Sequence, residues 1–186
     1  AAPSHRSILV ADVSHFYNDE SSAPETFTGC RFFPLPTDEA GKISPEAVRA
    51  RCIRKGDVHY ANAAMLSVTQ NTEYGTVYTL AELAALAEVC KEHNLALHMD
   101  GARLFNAAAS LGCALGDFTG VGVDLLSLGG TKLGMMFGEC VVVLNPAYAD
   151  AVRFKQKQVM QLHSKTRFIA AQFEAVLEEE LWRKAA

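Results

Sequence analysis

Short apolar runs alternate with helix-length segments along this chain, and that alternation restricts the fold more than any other feature. Ile8 to Ala11, Cys30 to Leu35, Met65 to Thr69, Leu95 to Met99, Leu125 to Leu128 and Glu139 to Leu144 read as strands. Helix signals lie between them. Ser44-Pro45-Glu46 sets a capping serine before a first-turn proline. Thr79-Leu80-Ala81-Glu82 is a capping box opening a helix through about Glu92, with Leu80, Leu83, Leu86, Ala87 and Cys90 on one face and His93-Asn94 as its end. An alanine-rich helix is predicted from about Ala102 to Leu111. Two more close the chain, about Pro146 to Met160 and Ser164 to Trp182. Strands alternating with helices pair in parallel, so the predicted class is α/β, a mainly parallel sheet with helices on both faces.

With 186 residues, 49% of them apolar, the chain can bury a sizeable core. The net charge of −4 argues against a nucleic-acid surface, which needs a basic patch. Basic residues gather between Arg153 and Arg167, and a solvated helix face explains them by default. Charged residues interrupt every apolar run before it reaches membrane-spanning length, so no membrane association is expected. The five cysteines, Cys30, Cys52, Cys90, Cys113 and Cys140, form no CxxC pair and no zinc-type cluster. Free thiols, a cytoplasmic location and no metal are the expectations.

Two strand ends carry ionisable groups where open α/β sheets place their chemistry. The run Leu95 to Met99 leads into Asp100-Gly101-Ala102-Arg103, and the run Val123 to Leu128 leads into Gly129-Gly130-Thr131-Lys132. Individually, an aspartate after a strand is often a turn residue or helix cap, and a lysine in a glycine-rich turn is often solvated. Together, a carboxylate on one strand end and an amine on a later one suit pyridoxal 5'-phosphate (PLP). Lys132 would form the Schiff base, and Asp100 would keep the pyridine nitrogen protonated. Glycines at 129, 130 and 134 leave room for close backbone approach, and Thr131 offers a hydroxyl either to the phosphate or to the backbone.

Asn71-Thr72-Glu73-Tyr74-Gly75-Thr76, His98 to Ala107, Leu126 to Lys132 and Gly138 to Val143 follow one another at spacings that resemble the L-threonine aldolases. These belong to the β-eliminating lyase group of fold-type I PLP enzymes. The likeness runs from about Ile8 to the C-terminus and is most specific at Asp100 to Arg103 with its downstream lysine. It implies the large domain of an aspartate aminotransferase-like enzyme, incomplete at both ends. Residues 1–162 would be part of the PLP-binding large domain, and 163–186 a helix leading towards a small domain. A glycine-threonine turn holding the cofactor phosphate would precede Ile8, and this chain has no copy of it.

The resemblance also implies roles. Arg103 would grip the substrate α-carboxylate with its planar fork; an ordinary salt bridge inside the helix is the alternative. His15, in Val13-Ser14-His15-Phe16-Tyr17, would stack on the pyridine ring, against a plain surface histidine. Many relatives carry a histidine where Glu73 stands, so Glu73 is either a proton acceptor or a turn residue. The implied reaction cleaves L-threonine or L-allo-threonine to glycine and an aldehyde. A β-eliminating lyase of the tyrosine phenol-lyase type is the alternative, and a non-catalytic cofactor-binding scaffold is a rival of another class. The implied partners are an amino-acid substrate and further copies of the chain, in a homodimer or homotetramer with shared sites.

Overall fold

The computed structural model describes residues 2–178 and 180–186. In chain order its elements are β1 (Ser7–Ala11), α1 (His15–Asn18), α2 (Ala23–Thr28), β2 (Arg31–Leu35), α3 (Pro45–Arg51), β3 (Ala63–Thr69), α4 (Leu80–His93) and β4 (Ala96–Gly101). Then come α5 (Leu104–Leu111), α6 (Leu115–Gly120), β5 (Leu125–Gly129), a 3-10 turn (Thr131–Leu133) and β6 (Glu139–Val143). A second 3-10 turn (Pro146–Tyr148) leads into α7 (Ala149–Gln158), α8 (Arg167–Glu178) and α9 (Trp182–Ala185).

The strands form one sheet in the order β2-β1-β3-β4-β5-β6. All pairings are parallel except the last, where β6 runs antiparallel to β5. Every residue of β1 is buried, as expected for a strand covered on both faces. Leu9, Leu66, Leu97, Met99 and Leu126 point into the larger core, which includes Val48 of α3, Leu83 and Leu86 of α4 and Phe105 of α5. Trp182 of α9 closes it, its ring 5.9 Å from that of Phe105. Ile8, Val10, Met65, Ala96 and Leu125 face the other way into a smaller cluster with Phe16 of α1 and Val152 of α7. These cores carry the stability. Truncating a fully buried leucine such as Leu97 costs ~2–5 kcal/mol, whereas an exposed helix pair such as Glu88–Lys91 contributes ~0.3–0.5 kcal/mol.

Local chemistry explains the element ends. Thr79 and Glu82 form the reciprocal capping box of α4, and Asn94 takes the left-handed conformation that ends it. Ser44 caps α3 ahead of Pro45. The helix predicted from Pro146 starts instead as a 3-10 turn, because the Asn145 side chain accepts from Ala147 N and tightens the first turn. The helix predicted from Ser164 to Trp182 is divided into α8 and α9. The short α1, α2 and α6 give too few turns for hydrophobic periodicity to register.

The topology selects the working edge. With β2 and β3 on opposite sides of β1, the crossovers reverse between β1 and β3. In open α/β sheets, ligands bind outside the carboxyl ends of the strands at such a point. The segments that leave β1 and β3 there carry His15 and Glu73, and β4 ends beside them at Asp100-Gly101.

Candidate active site

Each charged side chain at this edge is placed by its own local structure. Ser14 Oγ donates to Ala11 O and turns the chain out of β1, so that His15 opens α1. The loop after β3 is clasped by the fully buried Gln70. Its Nε2 donates to Tyr78 O at 2.8 Å, its Oε1 accepts from Tyr78 N at 3.0 Å, and its backbone N–H reaches Asp100 O. Glu73 projects from the tip of this loop. Asp100 accepts from Ala102 N at 2.9 Å, an aspartate turn that starts the bend towards α5.

Four of the sequence-predicted residues meet in one charged chain. Asp100 Oδ2 lies 3.0 Å from His15 Nε2, and Glu20 Oε1 lies 2.8 Å from His15 Nδ1. Glu73 Oε1 accepts from His15 N at 3.3 Å and stands 3.8 Å from His15 Nε2. Glu73 Oε2 is 3.6 Å from Arg103 Nη1. Arg103 therefore pairs across loops rather than within its helix, and His15 is held between acids rather than loose on the surface. Burial alone would lower the His15 pKa, but the Glu20 hydrogen bond and the charges of Asp100 and Glu73 outweigh it, and the net shift is upward.

Lys132 occupies the 3-10 turn that follows the carboxyl end of β5, on the same edge. It is exposed and has no hydrogen bond or ion pair among the described residues. The two motif turns pack directly on each other. A Cβ on Gly129 would lie 2.8 Å from Ala102 Cα and 3.0 Å from Glu139 Oε2, so only glycine fits where they cross. A Cβ on Gly130 would run into the Met135 side chain. Thr131 Oγ1 donates to Glu139 Oε1 at 3.2 Å.

Glu139 escaped the sequence reading. Register places it opposite Gly129, and cross-strand register is not visible in a single sequence. Burial raises its pKa, the charge of Asp100 adds to this, and the charge of Lys132 opposes it. Glu139 therefore lies within electrostatic reach of both.

Two buried polar atoms here, Arg103 Nη1 and Asn71 Oδ1, have no hydrogen-bond partner among the described residues. A buried donor left unpaired costs ~1–3 kcal/mol, more for a charged group. A buried guanidinium N–H with no hydrogen-bond acceptor fits a ligand that brings a carboxylate, and the Lys132 amine on the same edge suits an aldehyde.

Comparison with known proteins identifies the family and fold. The family model for β-eliminating lyases matches residues 1–186. The chain is 40% identical over 184 residues to a low specificity L-threonine aldolase of Pseudomonas aeruginosa, covering 98% of this chain and 53% of that protein. It is 32% identical over 111 residues to the low specificity L-threonine aldolase of Escherichia coli, covering 60% of this chain and 33% of that one. The solved threonine aldolase of Leishmania major superposes with a TM-score of 0.91 at 30% identity, covering 99% of this chain and 54% of that chain. The chain thus spans about half the length of the Pseudomonas aeruginosa and Leishmania major proteins.

Proposed function

This chain belongs to the β-eliminating lyase family, and from that premise we propose that its parent protein is a PLP-dependent aldolase that cleaves L-threonine and L-allo-threonine to glycine and acetaldehyde. The observation that carries the reading is the buried Arg103 Nη1, near the Glu73 carboxylate but without a hydrogen bond among the described residues, at the end of the Asp100–His15–Glu73 chain. PLP, when bound, supplies an electron sink for the charge left at Cα. When PLP is bound, Lys132 would hold it covalently through its amine, Asp100 would keep the ring nitrogen protonated, His15 would cover the ring and shield it from water, and Gly129 and Thr131 would lie beside it in the turn. Arg103 binds the substrate α-carboxylate through its guanidinium fork. Glu73 accepts the β-hydroxyl proton at a carboxylate oxygen as the Cα–Cβ bond breaks and the aldehyde departs. A proton returned to Cα completes glycine.

Residues 1–162 then form part of the PLP-binding large domain, and 163–186 lead towards a small domain. We further infer a homodimer or homotetramer working in the cytoplasm. In support, Phe154 is 78% exposed and Met160 83% exposed around a basic helix, which suits a partner-facing surface. Among the described residues, no helix is long and apolar enough to cross a membrane.

The test is to load the full-length protein with PLP and add threonine. Acetaldehyde and glycine are expected, whereas pyruvate and ammonia from serine or tyrosine would replace this reading by β-elimination. In the same assay Arg103→Lys raises KM for threonine ~10–100-fold, because a point charge cannot reproduce two parallel hydrogen bonds. Cofactor absorbance stays unchanged. Lost cofactor with an unchanged KM would remove Arg103 from the substrate.

A further inference from the structure

His98 has no part in the chemistry above, yet it is built into the floor of the site. It lies two residues before Asp100 on β4, so both side chains leave the same face of the strand. Its Nδ1 faces Ser67 Oγ of β3 at 2.8 Å, and its Nε2 faces Ser127 Oγ of β5 at 3.0 Å. The register accounts for both contacts. Ser67 is directly opposite His98, and Ser127 is directly opposite Asp100. The Phe16 ring of α1 lies 6.4 Å away on the same face. The neighbours supplied by β3, β5 and α1 are thus two hydroxyls and an aromatic ring. The charge that acts on His98 comes from Asp100 on its own strand, itself paired with His15.

Burial pushes the His98 imidazole below its ordinary pKa, and the Asp100 charge only partly offsets this. The ring is therefore neutral near pH 7. One nitrogen donates, the other accepts, and either serine can take the complementary role. Past Asp100 on β4 and Leu128 on β5, each strand ends in glycine. β4 ends at Gly101, β5 at Gly129, and Gly130 follows. Glycine adds no cross-strand side-chain pair and loses more backbone entropy on ordering. The histidine trio is thus a side-chain tie across three strands just before the two motif turns begin.

We propose that His98 is a positioning residue, whose bridge from Ser67 to Ser127 fixes the spacing between the Asp100 strand end and the Lys132 turn to suit a ring held by both. The proposal rests on the PLP reading above. Its arms are told apart by which hydroxyl matters. In His98→Gln the amide can reach Ser127 as Nε2 does, and in His98→Asn it can reach Ser67 as Nδ1 does.

The experiment compares full-length wild type with His98→Leu, His98→Gln, His98→Asn and Ser127→Ala, each loaded with PLP. It reads the PLP dissociation constant, the pH midpoint of the bound-cofactor absorbance and Tm without cofactor. His98→Leu should weaken PLP binding about tenfold, as the loss of one or two buried hydrogen bonds converts, and should move the absorbance midpoint. His98→Gln should recover more than His98→Asn. Ser127→Ala should reproduce most of the His98→Leu effect and add little to it. Unchanged binding and midpoint in both His98→Leu and Ser127→Ala would overturn the proposal. So would binding losses that track Tm, with glutamine and asparagine equally poor. If His98→Leu does not fold, Ser127→Ala alone decides by the same criteria. Wild-type protein that takes up no PLP would overturn the functional reading and this proposal with it.

Discussion

Lys132→Ala leaves the full-length protein unable to hold PLP covalently. After borohydride reduction, wild type carries a pyridoxyl group on the peptide containing Lys132, and the variant carries none. Threonine cleavage falls by on the order of 10³, since the covalent anchor of the cofactor is lost. What distinguishes this amine is its position: Lys132 follows the carboxyl end of β5, beside the end of β4 at Asp100-Gly101, and its charge reaches Glu139. A stable label on another lysine, with activity intact in Lys132→Ala, would end the assignment.

Asp100→Asn separates charge from shape. The amide can still accept from Ala102 N, so the turn into α5 is kept and the loss of fold stability is small. What disappears is the negative charge that would keep the ring nitrogen protonated and that helps raise the His15 pKa. The expected result is a kcat lower by on the order of 10²–10⁴ with folding unchanged by circular dichroism. The His15 titration should move down, because one of the charges holding the imidazolium is gone. Asp100→Glu should recover part of the rate. Near wild-type kcat in Asp100→Asn would reduce Asp100 to a turn residue.

The parts of the molecule that were legible in sequence share one property, which is that their signal is local. The run Leu95 to Met99 is apolar because β4 is covered on both faces, and the Thr79/Glu82 box is written in four consecutive residues. Asp100 and Arg103 stood out because a motif fixes their spacing. What escaped depends on register or on packing at a distance. Glu139 joins the site only because β6 turns back antiparallel and sets it opposite Gly129. His98 showed no ligand pattern, because its partners come from two other strands. Arg103 could be read as a within-helix pair until the loop after β3 was seen to bring Glu73 across to it.

That loop has a consequence for how the site can change over time. Gln70 replaces a missing backbone pairing with an amide on each side of Tyr78, so the segment is closed at its base before Glu73 and Tyr74 are reached. Tyr74 is 59% exposed at the tip. Replacing Tyr74 at the tip leaves β3 and α4 anchored and costs the fold little, whereas Glu73 beside it is held by His15 and Arg103. A replacement of Gln70 that cannot bond leaves two buried Tyr78 backbone groups unpaired, at ~1–3 kcal/mol each. The fold thus separates a bonded base, where exchanging Gln70 is costly, from one exposed position, Tyr74, where exchange is cheap.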